Sequence, residues 1–249
     1  MPSPSGSIRV GIGGWDYEPW RGSFYPPGLP KARQLEYASR QLTAIEVNAT
    51  FYRLQKPETF ERWADLVPEG FTFAIKGSRF CTNRKVLADS GEPVARFCRQ
   101  GLAALGSRLG PILWQLAPTK RFEPEDFAAF LDLLPRSQDG VALRHAIEVG
   151  HESFRDPRAV EIAREAGVAI AFNDTGNARG IDEPTAGFVY ARLKGAREEE
   201  PLGYSPAELD DWADRARAWA ASGRDVFLFM IDGAKVRAPA AARALFERL

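Results

Sequence analysis

Cysteine is scarce in this chain: only Cys81 and Cys98 occur among 249 residues. Two thiols 17 positions apart support neither a disulfide framework nor a four-ligand zinc site, so both are expected to stay reduced. Histidine is as rare, with two copies and no spaced pair to suggest a metal centre. An excess of charge of either sign is also missing, because 33 basic residues face 33 acidic ones. Without a global field, generic binding to nucleic acid or to an anionic membrane is disfavoured, although a local patch stays open. No segment approaches the run of about 18 apolar residues that a membrane span needs. The opening MPSPSGS lacks the charged and apolar regions of a secretory signal, so the chain reads as cytoplasmic.

What is present is a recurring short apolar run that ends in polar residues. Eight such runs occur, at 8–14, 44–50, 71–77, 110–116, 145–151, 168–174, 187–195 and 225–232. Each has strand length and is rich in β-branched or aromatic residues. Segments with apolar positions three and four apart alternate with them, at 31–42, 57–67, 92–105, 123–134, 156–166, 205–221 and 238–249. Several open with Pro in the first turn, as helices do. Only 175–186, TGNARGIDEPTA, lacks helical spacing after its strand. Alternating strands and helices without a break in composition predict a TIM-like (β/α)8 barrel lacking the helix after strand 6. It would occupy residues 8–249 as one domain, behind a disordered tail at 1–7. An open doubly wound sheet is the alternative, but GIGGWDYEPW lacks the third Gly of a dinucleotide turn and enters an aromatic loop.

In a parallel barrel the active site forms at the carboxyl ends of the strands. Side-chain alternation then separates barrel-facing from helix-facing positions. It places Glu46, Asn48 and Thr50 inward on strand two, and Lys76 inward with Thr72 and Ala74 on strand three. It places Gln115 with Leu113, Glu148 with Ala146, Arg192 and Lys194 with Tyr190, and Asp232 with Met230. Asn173 and Asp174 lie on opposite faces at the end of strand six, and alternation alone leaves open which one faces the mouth. The loop after strand one is long enough to be functional and holds Trp15, Tyr17, Trp20, Phe24 and Tyr25. Most of these aromatics are expected to anchor the loop, with Trp15 and Tyr17 nearest a ligand. Tyr52 and Arg53 extend the rim, and Arg79 joins Lys76, Arg192 and Lys194 as cations that could hold a phosphate or carboxylate.

At this point a family comes into view. The stretches GGWDYEPWRGSFYP, IEVNATFYRLQKPETFERWADLVPEGFTFAIKGSRFCTN, GPILWQLAP, IEVGHESF, FND, VYARLKG and FLFMIDGAKVRAPAAARAL follow one another. In that order the chain resembles the domain-of-unknown-function family 72, also called YecE-like, over nearly its whole length. The resemblance implies a TIM-like barrel and no particular reaction. The chain departs from the family's usual pattern at Asn83, Lys194, Asp232 and Phe154. At the first two of these sites the family often has His, so any metal or general-base role of those imidazoles is in doubt here.

The candidate catalytic groups are therefore Glu148, Glu46, Lys76 and Asp174. The candidate substrate contacts are Trp15, Tyr17, Asn48, Tyr52, Arg79, Gln115, His151, Arg192, Lys194 and Asp232. Burying so many charges is costly unless they pair or bind something. The expected function is an enzyme, of hydrolase, lyase or isomerase type, acting by acid–base chemistry on a small anionic substrate such as a phosphorylated sugar or nucleotide-like compound. Glu148 is the expected principal acid or base. The alternative is a non-catalytic protein that binds a metabolite or a nucleic-acid end. A Schiff-base lysine is the less economical reading of Lys76 and Lys194, and a divalent metal is less expected than none. Cofactor identity and oligomeric state are not legible.

Overall fold

The computed structural model describes residues 5–176, 178 and 180–249. In chain order the strands are β1 (Ile8–Gly13), β2 (Ala44–Val47), β3 (Thr72–Lys76), β4 (Leu109–Gln115), β5 (Ser137–Gln138), β6 (Val141–Ala142), β7 (His145–Glu148), β8 (Ala169–Ile170), β9 (Phe172–Asn173), β10 (Phe188–Leu193) and β11 (Asp225–Met230). The helices are α1 (Gln34–Ser39), α2 (Ala49–Tyr52), α3 (Pro57–Leu66), α4 (Arg79–Thr82), α5 (Gly91–Cys98), α6 (Pro124–Asp132), α7 (Pro157–Ala166), α8 (Pro206–Ala221) and α9 (Ala238–Phe246).

The large sheet runs β8-β7-β4-β3-β2-β1-β11-β10-β9, with every pairing parallel. Its first and last members are two halves of one stretch, Ala169–Asn173, so the sheet comes round to meet itself as a barrel. No helix follows β9 before β10 among the described residues, as the composition of 175–186 predicts. The sequence does not lead one to expect β5 and β6, which pair antiparallel across Asp139 and Gly140. Both turn residues have positive φ, 50° and 77°. An Asp-Gly pair suits such a tight hairpin.

Helix starts follow the sequence chemistry. Pro sits in the first turn of α3, α6, α7, α8 and α9, where a missing N–H costs nothing. At α8 a full capping box joins Ser205 and Glu208. The long helical segment expected at 92–105 ends as α5 at Cys98, turns through Gly101, whose φ of 103° suits only glycine, and continues as a 3-10 stretch from Leu102.

Two apolar layers result. Outward-facing Ile45, Val47, Phe73, Ile75, Ile112, Trp114, Ile147, Leu228 and Met230 join the helices in the larger core. Inside the barrel, Phe188 and Tyr190 of β10 and Phe227 and Phe229 of β11 pack with Ala44, Ala74, Ala146, Ala169 and Ala171. Small residues on one half of the wall leave room for rings from the other half. Below them Arg144 lies over the Phe227 ring at 4.7 Å.

Two expectations need correction. Asp232 does not share a barrel-facing row with Met230, because Phe229 and Ile231 face the interior while Met230 joins the outer core. The strand ends at Met230 and Asp232 is exposed beyond it. The expected tail is not free over its whole length either. Gly6 donates to the Ala220 carbonyl, and Ser7 donates through N and Oγ to Asp225 at 3.0 and 2.6 Å. Residues 1–4 of that tail lie outside the described residues.

Candidate functional site

Register sets the level of the charged layer. Gly13 of β1 is paired with Glu46 of β2, Gln115 of β4 with Glu148 of β7, and Asn173 of β9 with Arg192 of β10. Alternation points Glu46, Glu148 and Arg192 into the barrel immediately above the alanine and aromatic layer. All three are buried. Glycines on β1 keep the opposite wall open: a Cβ at Gly13 would sit 3.2 Å from Ile231 and 3.3 Å from the Asn48 amide.

These charges answer one another. The Arg192 guanidinium donates to Glu46 through Nε and Nη2, at 3.0 Å each, and to Glu148 through Nη1. The Tyr190 hydroxyl donates to Glu46 at 2.8 Å. Glu148 also accepts from Gln115 Nε2 at 2.6 Å and from the Lys194 ammonium. Burial alone would raise the Glu148 pKa, but Arg192 and Lys194 outweigh it and hold the carboxyl below its ordinary range. Burial opposes charge on Arg192 as well, and Glu148 with Glu46 reverses that, so its pKa is raised. The two cations thereby favour the carboxylate form of Glu148. As a carboxylate it can anchor cations or accept a proton.

Lys76 stands apart. It is half-buried at the end of β3, and among the described residues it forms no ion pair. Its ammonium lies over the Phe51 ring at 4.5 Å. Burial lowers its pKa, opposed by Glu46 and reinforced by Arg192. Asp232, exposed at the mouth, acts on it in the raising direction. The backbone here is tied down by Thr50, whose hydroxyl donates to the Lys76 carbonyl at 2.7 Å. Thr50 does this from the turn of α2, not from an extended strand, since β2 stops at Val47.

The remaining candidates divide. Asp174 accepts the backbone N–H groups of Lys194 at 2.7 Å and Gly195 at 3.0 Å, so it positions the Lys194 segment. His151 Nδ1 accepts the Ser153 N–H at 3.1 Å and caps the turn that follows β7. Trp15 stacks edge-on against Trp63 of α3, with ring centroids 5.3 Å apart. Tyr17 packs on Trp20 and lies beneath the Lys235 ammonium at 4.7 Å. The first-strand loop is thus an anchored plug, with Trp20, Phe24 and Tyr25 buried and the Trp20 indole donating to the Lys235 carbonyl. Both aromatics expected nearest a ligand are turned into that packing. Tyr52 and Arg79 lie on the exposed rim.

A cavity of about 250 Å³ opens beside the network, lined by Gln115, Glu148, Gly150, Asn173, Thr175 and Lys194, among others. Asn173 resolves the ambiguity at the end of strand six: it is the barrel-facing residue. Its Nδ2 donates to the Ala171 carbonyl, and its buried Oδ1 has no partner. Sequence reasoning left Asn173 open against Asp174 and named Tyr190 only as sharing a face with Arg192 and Lys194, so neither was among the candidate site residues. Among the described residues no three of His, Cys, Asp and Glu gather as a metal site. No helix there is long and apolar enough to cross a membrane.

Comparison with known proteins gives a consistent result. The model of the family described as "Protein of unknown function DUF72" matches residues 9–249. The UPF0759 protein YecE of Escherichia coli K12 is 30% identical over 150 residues, which cover 59% of this chain and 50% of that relative. The chain thus matches about half the length of this curated relative. A DUF72 family protein from Thermotoga maritima superposes with a TM-score of 0.73 at 21% identity, over 96% of this chain and 97% of that one. A D-allulose 3-epimerase from Methylomonas sp. gives 0.58 at 12% identity, over 100% and 99% of the two chains, a likeness of fold alone.

Proposed function

We propose, for a chain that belongs to the DUF72 family and takes from it a barrel but no reaction, that the mouth of the barrel binds a small anionic substrate and transforms it by acid–base chemistry. The observation that carries this reading is the surplus cation. In the charged layer Glu46 and Glu148 face three cations, and Arg192 and Lys194 take up both carboxylates. Lys76 is left to attract an anion from solution.

In this reading Lys76 is the proton-transfer group: it stands at the mouth outside the ion-pair network, and partial burial lowers its pKa from the ordinary lysine value. Lys194, pinned by Asp174 and held by Glu148, orients a phosphate or carboxylate at the small cavity. Gln115, Asn173 and Asn48 supply neutral hydrogen bonds. A cavity of about 250 Å³ suits a sugar phosphate or a similar compound better than a large cofactor. The epimerase neighbour lends no substrate to this reading, since its likeness is one of fold.

A thermal-shift panel of inorganic phosphate, sugar phosphates, nucleotides and small carboxylates tests the binding half. A ligand at 100 times its Kd should add about 2.7 kcal/mol of stability. Lys76→Met should abolish the shift. Incubation of each stabilising compound, followed by NMR, tests turnover. Binding without turnover in the wild type would make the protein a metabolite binder, and no shift with any anion would remove the reading.

A further inference from the structure

The flank of the mouth formed by the segments after β2 and β3 is unlike the rest of the rim. Tyr52 and Phe80 are each 61% exposed, the largest exposures among the bulky apolar side chains of the described residues. They bracket Arg79, whose guanidinium lies 5.8 Å from the Tyr52 ring centre and 5.5 Å from that of Phe80. Tyr52 meets Phe51 edge-on at 5.1 Å, and Phe51 carries the Lys76 ammonium on its face at 4.5 Å. A continuous series, Lys76, Phe51, Tyr52, Arg79, Phe80, therefore runs from the charged interior to the outer rim, with cations and rings in contact throughout.

Past β3 the charge is one-sided. Between Lys76 and Arg99 the sequence has six basic residues against two acidic ones, although the chain as a whole is balanced. Arg53, Lys56, Arg79, Lys85, Arg96 and Arg99 are exposed, and among the described residues none of them pairs with a carboxylate. Elsewhere the exposed arginines commonly do, as at Arg33, Arg158 and Arg217. An aromatic platform interleaved with unpaired cations matches a ligand that carries both flat rings and phosphates. A phosphorylated sugar would use only the cations, and an apolar partner would be opposed by them.

We propose that this flank binds a nucleotide unit, free or at the end of a single strand, with the base stacked on Tyr52 or Phe80 and a phosphate directed to Lys76. The proposal narrows the substrate class of the anion-binding mouth and rests on that reading for its phosphate end. The stacking end stands on the exposed rings alone. Arg79, between the rings, serves a flanking phosphate or the face of a second base. The zero net charge is compatible with this, because the binding field is local and confined to one side of the mouth.

Fluorescence anisotropy of a labelled thymidine pentanucleotide provides the test, with unlabelled thymidine monophosphate, an abasic sugar-phosphate strand and inorganic phosphate as competitors. Binding at low salt should weaken steeply as salt rises. Tyr52→Ser and Phe80→Ser should each weaken it by about tenfold, and Tyr52→Phe should not. These side chains are exposed, so the variants are expected to fold, and unchanged melting temperatures check this. Competition by the monophosphate at the same affinity as the pentanucleotide identifies a free nucleotide, and a much tighter pentanucleotide identifies a strand end. No binding of the pentanucleotide or monophosphate, or binding indifferent to both serine variants and to the missing bases, overturns the proposal. If phosphate and sugar phosphates still bind through Lys76 in that case, only the nucleotide assignment falls. Loss of phosphate binding with stacking retained would instead remove the anion-binding mouth.

Discussion

Arg192 grips Glu46 with two hydrogen bonds of 3.0 Å each, in a part of the barrel that water does not reach. Two-pronged geometry of this kind is available to Arg and not to Lys. Removing one partner leaves the other charge buried without compensation. Arg192→Met should therefore cost about 3–5 kcal/mol, and Arg192→Lys should recover little of it. Urea unfolding measures both. Combining Arg192→Met with Glu46→Leu should cost less than the sum of the two single changes, since the stranded carboxylate is gone.

Glu148 makes the stability depend on acid. Its pKa is lowered in the folded protein by Arg192 and Lys194 against the effect of burial. Its contribution is present above the ordinary carboxylate range and is lost as pH falls through the folded value. Lys194→Met removes one of the two cations and raises that folded value, so acid unfolding of the variant should begin at higher pH. Circular dichroism followed from about pH 7 to about pH 3 reads the difference.

His145 adds a second acid-sensitive contribution at the other end of β7. The Trp114 indole donates to its Nδ1 at 3.1 Å, so the ring proton sits on Nε2, which donates to the Pro135 carbonyl at 2.7 Å. Burial lowers its pKa. A histidine held neutral stabilises fully above its unfolded pKa of about 6.5 and loses that contribution as pH falls toward the folded value. The slope of unfolding free energy against pH just below 6.5 should therefore flatten in His145→Gln.

Both cysteines should be inert while the protein is folded. Burial pushes the Cys81 and Cys98 thiols up to about 12, and both are free. A thiol reagent should label neither in the native state and both in urea, which a colorimetric thiol count reads directly.

Glycine on β1 is a steric requirement. A Cβ on Gly11 would lie 2.2 Å from the Ala44 carbonyl oxygen, a backbone atom that cannot swing aside. Gly11→Ala should cost at least the upper end of the about 1–3 kcal/mol typical of overpacking. Gly187→Ala, with open space around it and no positive φ, is the neutral control.

Which parts of this were legible in the sequence follows from what alternation can encode. It placed Glu46, Gln115, Glu148 and Arg192 correctly because those residues still belong to regular strands. It failed at Asp232 because Met230 was assigned to the inner row, whereas Phe227 and Phe229 hold that row on β11, and at Thr50 because the chain has already left the strand and a period of two no longer applies. The family resemblance was visible in the ordered motifs, and the missing sixth helix in the composition of 175–186. Pairing was not: nothing in the spacing shows that Arg192 bridges both glutamates, which leaves Lys76 as the surplus cation. The aromatic loop was readable as long and ring-rich, but the contacts of Trp15 with Trp63 and of Tyr17 with Lys235 were not.

The most direct measurement is an NMR titration of the Lys76 side chain, followed at its Cε and Nζ, with and without phosphate monoesters. Lys76→Met identifies the signal. The arrangement at the mouth predicts a pKa below that of an ordinary lysine in the free protein, rising when an anion binds beside it. An ordinary pKa that no anion moves would contradict both the surplus-cation reading and the acid–base role built on it.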